Sequence, residues 1–354
     1  MPEVVEKEGL QFEILEDESA NLIKGASSLT GDLAIPAFIK YEGKSCPVVS
    51  IKKQAFCNCG QLACVCLPDS IKNVRGDAFL KCNLERIEVA EDNPNYRSID
   101  GVLFNKDVTR LIYYPKAKKT KEYILPGSVD TMAKGSFRCD YLKKVFIPSE
   151  VRRIEELTFV GCEQLEEIII AGSTVDVRPF GFNGCRNLKH LIILETPKYP
   201  SEEEDMYESM IWERDRQYER MDWMNMDRRR KILRDSHFQT WAFKDCHLQN
   251  VFIPADIYIR DDYFKGFGFS FHHFEKLFRY KIEPEYDSGR LAIEVRKSGA
   301  PDNVQVSAEI NVEFWKDTED VSITDYRCTN ETEQEENLEQ VKYLLDTLFK
   351  YGRL

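Results

Sequence analysis

Thr158-Phe159-Val160-Gly161-Cys162-Glu163-Gln164-Leu165-Glu166-Glu167-Ile168-Ile169-Ile170 is the stretch on which the reading of the chain turns. Phe, Cys and Leu stand three residues apart, and Leu165, Ile168 and Ile170 then close in the period-2 spacing of a short strand. The same set recurs as Phe56, Cys59, Leu62, Val65, Leu67 and as Phe79, Cys82, Leu84, Ile87, Val89. It returns as Phe137, Cys139, Leu142, Val145, Ile147, then Phe182, Cys185, Leu188, Leu191, Ile193, and last Phe243, Cys246, Leu248, Val251, Ile253. Phe56 to Phe79 is 23 positions, Phe137 to Phe159 is 22 and Phe159 to Phe182 is 23.

A period in the window of ~20–29 residues, repeated six times, predicts a leucine-rich-repeat solenoid. Each unit supplies one short strand and a helical or irregular return. Pro68, Pro148 and Pro254 end strands because proline cannot donate to the ladder. No unit can bury its own Leu, Ile and Phe; stacked neighbours bury them as one core. The fold class expected is an α/β-type leucine-rich-repeat solenoid with a small C-terminal α+β domain. The recurrent Cys reads as a small buried hydrophobe in a packed ladder.

The units resemble the BspA-type leucine-rich repeat, Ala-Phe-x-x-Cys-x-x-Leu-x-x-Ile-x-Ile-Pro-x-x-Val-x-x-Ile. Residues 158–165 and Lys144-Val145-Phe146-Ile147-Pro148-Ser149-Glu150-Val151-Arg152-Arg153-Ile154 carry the resemblance. It extends over roughly residues 30–265, with two interruptions. The resemblance implies adhesion or protein binding, since such proteins are typically cell-surface or secreted proteins of gut and oral bacteria and of some protists.

Around the repeats the expected organisation is an N-terminal β cap over residues 1–30, the solenoid over 31–268, and an α+β domain over 270–354. The first interruption, about 91–124, contains Asp100-Gly101 between apolar flanks, a hairpin signal. The second, about 196–238, reads as helical: Ser201 and Glu204 form a capping box, with acids at its start and bases at its end. Met206, Met210, Trp212, Met221 and Trp223 in this insert are candidates for an adaptable binding face, or for a helix packed on the solenoid. In the C-terminal region Leu291, Ile293, Val295 and then Val304 through Phe314 alternate as strands. Leu338, Val341, Leu344, Leu345, Leu348 and Phe349 share one helix face.

The 354 residues carry a net charge of −12, which disfavours nucleic acid. There is no apolar run long enough for a membrane helix, so no membrane insertion is expected. The start Met1-Pro2-Glu3-Val4 lacks a signal-peptide pattern, giving a cytoplasmic expectation as the chain stands; the cell surface or secretion is the alternative for a trimmed chain. No cofactor motif is found. Cys57, Cys59, Cys64 and Cys66 have a zinc-like look, but Cys59 holds the inward ladder position while Cys64 and Cys66 face the other way, as free surface thiols. No metal is expected.

The alignment also predicts what the sheet face displays. One column holds Phe146, Ile169, Ile192 and Phe252; a neighbouring one holds Lys144, Glu167 and His190. So apolar a stripe is a partner site or is covered, and the 196–238 insert is the nearest candidate cover. The function expected is non-enzymatic binding of a protein partner, with a glycan or host surface as the alternative ligand. The competing readings are a solenoid that delivers an enzymatic or effector C-terminal domain, and a purely structural part of an assembly.

Overall fold

The computed structural model describes residues 3–172, 176–194, 237–238, 242–255, 274–284, 288–297, 306–315, 321–328 and 333–351. It is a β-solenoid of leucine-rich repeats, with one described helix, α1 (Gln334–Lys350). The repeat strands Glu122–Ile124, Lys144–Ile147, Glu167–Ile170, His190–Ile193 and Leu248–Pro254 pair in parallel, side by side. Their register aligns Val145, Ile168, Leu191 and Val251 on the inner face, all buried in one core.

The returns are turns and two-residue strands such as Arg153–Ile154 and Asp176–Val177; among the described solenoid residues none is helical. The reason lies in where the backbone bonds go. The Phe56 N–H donates to the Ala78 carbonyl, Phe137 to Thr158, Phe159 to Gly181 and Phe182 to Ala242, at 2.8–2.9 Å. Each return is held by the next turn, so it needs no internal helical ladder. The same phenylalanines stack: Phe137 on Phe159 at 4.5 Å, Phe159 on Phe182 and Phe182 on Phe243 at 5.0 Å between centroids. The recurrent thiols point inward. Cys82, Cys185 and Cys246 donate to the carbonyls of Phe56, Phe159 and Phe182 at 2.7, 3.0 and 3.1 Å.

Residues 91–124 insert a hairpin, Tyr96–Ile99 with Val102–Asn105. Asp100 (φ 48°) and Gly101 (φ 76°) make its two-residue turn, both left-handed as this hairpin type demands. The hairpin is a wedge. Leu103 belongs to the core of the first half, while Val102 and Phe104 belong to that of the second.

The expected boundary near residue 270 carries no break in the sheet. Leu248–Pro254 pairs in parallel with Phe274–Pro284, and the sheet continues antiparallel through Ser288–Lys297, Val306–Trp315 and Val321–Cys328. The result is one nine-stranded sheet. The N-terminal residues form an antiparallel meander, Glu3–Lys7, Leu10–Ile14 and Ala20–Gly25, joined to Lys44–Ile51. Among the described residues no helix is long and apolar enough to cross a membrane.

Candidate functional site

The outer face of the nine-stranded sheet carries two columns set by register. The apolar one runs Ile124, Phe146, Ile169, Ile192, Phe252, Phe278. The polar one runs Glu122, Lys144, Glu167, His190, Asn250, Lys276. Side chains two apart on a strand share a face, so both columns look outward together.

The structure places the predicted anchors beneath helix α1. Ile169, Ile192 and Phe252 are fully buried, in one cluster with Val341, Leu344, Leu345 and Leu348 of the helix and with Ile293, Val295 and Ile310 of the terminal strands. Phe146 is half-buried and stacks on Tyr351 at 4.3 Å. Of the two readings, partner site or covered, the described residues show a cover, and it is α1. Met206, Met210, Trp212, Met221 and Trp223 of the 196–238 insert lie outside the described residues. Burial of each Ile or Phe stabilises by about 1.5–3 kcal/mol, more than a bare stripe could forgo while the chain holds a matching helix.

The polar column is matched by the polar flank of α1. Asn250 Nδ2 donates to Gln340 Oε1 at 3.0 Å. Lys276 Nζ donates to Asn337 Oδ1 at 3.0 Å and lies 2.8 Å from Glu336. Lys144 and Glu167 pair at 2.6 Å, and Lys144 Nζ stands 6.0 Å from the Tyr343 ring centre. His190 lies against the same ring, 5.5 Å between centroids. Burial pushes the His190 pKa below its ordinary value, against the opposing pull of Glu167. Burial, and then the Glu167 charge, hold Tyr343 protonated. The helix thus meets both the apolar and the polar column. At the far end Ile124 stands 58% exposed.

The first half of the solenoid displays a different face. Thr30–Ala34, Gln61–Leu67 and Arg86–Val89 pair in parallel. Cys64, Cys66 and Glu88 lie close enough for their ligand atoms to share one ion. Arg86 already holds Glu88 at 2.9 Å and also bonds Asp32. Cys64 is buried rather than a surface thiol, and burial pushes it up to about 12, away from the thiolate a metal needs. Cys59 points the other way, toward the carbonyls of Gly25 and Ala26. The four thiols of 57–66 do not converge.

Sequence reasoning missed Asn337, Gln340, Tyr343 and Tyr351 as the cover's contacts. The helix face itself was readable; which surface it would choose was not.

This fold is that of a leucine-rich-repeat solenoid. A BspA-type leucine-rich-repeat region, in six copies, matches residues 44–116 and 114–189, so the repeats of this stretch are of the BspA type. No functionally curated protein matches the sequence. Among solved structures, the chain is similar to the pneumococcal vaccine antigen PcpA, with 16% identity, 75% of this chain and 91% of that one covered, and a TM-score of 0.37. A leucine-rich cell surface protein from Faecalibacterium prausnitzii shares 16% identity over 73% of this chain and 90% of its own, at a TM-score of 0.34. A leucine-rich-repeat protein of T. pallidum shares 20% over 55% and 83%, also at 0.34.

Proposed function

We propose that the protein is a non-enzymatic interaction scaffold that binds a protein partner through its sheet face, with Phe146, Ile169, Ile192 and Phe252 as anchors and Lys144, Glu167 and His190 as the polar rim. The observation behind this reading is that the face receives an amphipathic helix, and receives it from the chain itself. In the closed form the site is occupied by α1. A partner segment with the same pattern, apolar residues at helical spacing beside a polar flank, takes its place. Exposed Ile124 and half-buried Phe146 are where such a segment begins. The repeat solenoid is an extended binding surface by construction, which supports a scaffold over a catalyst.

The test compares capture from host lysate and envelope fractions by three proteins, each shown folded by circular dichroism. They are the intact chain, a Leu344→Asp, Leu348→Asp variant that loosens α1, and an Ile169→Lys, Ile192→Lys variant that spoils the column. A partner enriched by the loosened helix and lost with the spoiled column is the expected result. A partner held equally by all three places the site elsewhere and overturns the reading.

A further inference from the structure

The hairpin wedge leaves a second feature on the return side of the solenoid, away from the columns under α1. The ladder that ties each repeat Phe to the next turn is intact from Phe56 to Ala78 and again from Tyr114 to Ser136 onward. Among the described residues it is interrupted between Phe79 and Tyr114, where the two cores meet. The interruption opens a groove of about 600 Å³ between the halves.

Its lining is unlike the rest of this acidic chain. Lys53, Arg75, Arg110, Lys134 and Arg138 surround it, with Asp77 as the acid in the wall. Lys53 and Arg75 approach Asp77 at 3.9 and 3.8 Å, and Lys134 pairs with Glu156 at the rim at 2.6 Å. Arg110 and Arg138 have no ion-pair partner among the described residues, so the groove keeps excess positive charge in a protein of net charge −12. Gln54 and Asn73 also line it, beside Leu80, Ile112 and Tyr96, whose hydroxyl is already engaged by the Val74 N–H at 2.8 Å. The cations of the groove ask for several carboxylates. A peptide rich in Asp and Glu offers them along an extended backbone.

We infer that this groove is a second binding site, for an acidic peptide segment of a protein partner. Carboxylates meet Arg110, Arg138, Lys53 and Arg75, and an aromatic or aliphatic residue lies against Leu80 and Tyr96. The inference rests on the scaffold reading only in taking a peptide as ligand; it uses none of the sheet-face residues.

The experiment uses the full chain and fluorescence anisotropy of a labelled peptide of alternating Asp and Glu with one Tyr. Its Asn/Gln counterpart is the neutral probe. An Arg110→Glu, Arg138→Glu variant removes the two uncommitted guanidiniums. A Lys143→Glu, Lys281→Glu variant changes the net charge equally, outside the groove. Lys53→Gln with Arg75→Gln serves if the first variant does not fold. The groove variant is expected to weaken binding of the acidic peptide by about tenfold or more, and the control by about twofold or less. The neutral peptide is expected not to bind. Equal losses in both variants, no binding of the acidic peptide, or equal binding of the neutral one would overturn the inference. So would displacement by ATP or inorganic phosphate at concentrations below that of unlabelled peptide, which would make the ligand a small phosphate compound. The groove variants leave α1 and its seat unchanged, so failure here and failure of the sheet-face reading are distinguishable.

Discussion

The two halves of the solenoid are built from the same repeat yet treat their outer faces in opposite ways. On the first half, the column register holds Ala34, Cys66 and Glu88, and the neighbouring positions Asp32 and Arg86 form exposed ion pairs. On the second half the equivalent column is Phe146, Ile169, Ile192 and Phe252, and a helix from the chain's own end lies on it. Repeat geometry sets the columns; residue choice in the columns decides whether water or another element meets them. A charged face is content in solvent. A continuous apolar one recruits a cover.

The largest expected effect breaks that contrast directly. Ile192→Asp puts an unpaired charge beneath α1 and should cost about 4 kcal/mol in chemical denaturation, whereas Glu88→Gln on the first half should cost less than about 1 kcal/mol. Equal costs would remove the distinction between the faces. Next, Leu344→Ala takes a fully buried side chain from the cover and should lower stability by about 2–4 kcal/mol, measured from the urea midpoint. Gly101→Ala probes the wedge that separates the halves. Its backbone is left-handed, and a Cβ there would stand 2.7 Å from Arg86 Cβ, so a loss of about 1–3 kcal/mol is expected. A thermal melt unchanged by this substitution would show that the hairpin tolerates rearrangement.

The smallest effect is a pH dependence confined to the covered face. His190 faces Glu167, Glu166, Lys144 and Lys189, with Asn250 and Tyr343 packed beside it. Its folded pKa lies below the unfolded value, so the unfolded chain takes up the proton more readily. The corresponding stability is complete above about pH 6.5 and is lost as pH falls through the window below it. Melts of the intact chain should therefore drop more between pH 7 and pH 5 than those of a His190→Gln variant. Parallel curves would remove His190 as the source.

Much of this was legible in the order of residues. Phe159, Cys162 and Leu165 phase the repeat. Because side chains alternate along a strand, the phase also assigns Ile169 and Ile192 to the outer face. Asp100-Gly101 announced its own turn. The helical stripe Val341, Leu344, Leu345, Leu348 was readable from spacing alone. What could not be read was the pairing of these parts. The 196–238 insert leaves the solenoid between Ile192 and Phe252, and proximity in sequence favoured it as the cover. The choice of α1 is made by tertiary packing: the terminal strands extend the sheet, and the Tyr280 hydroxyl, donating to the Ile193 carbonyl at 2.7 Å, ties them to it. The basic groove was equally hidden. Lys53, Arg75, Arg110, Lys134 and Arg138 come from several turns and have no common spacing; the interruption of the hydrogen-bond ladder gathers them.

The seating of α1 over the polar and apolar columns is tested most directly by a thiol-to-thiol cross-link through a short spacer. Asn250 and Gln340 touch at 3.0 Å, while Asp346 lies on the exposed side of the helix. Treatment of an Asn250→Cys, Gln340→Cys variant with a short bismaleimide spacer, which reaches between side chains whose tips touch, followed by peptide mapping, is predicted to join positions 250 and 340. An Asn250→Cys, Asp346→Cys variant should leave those two positions unjoined. Cross-linking at both pairs alike, or at neither, would contradict the seating of α1 on the sheet face.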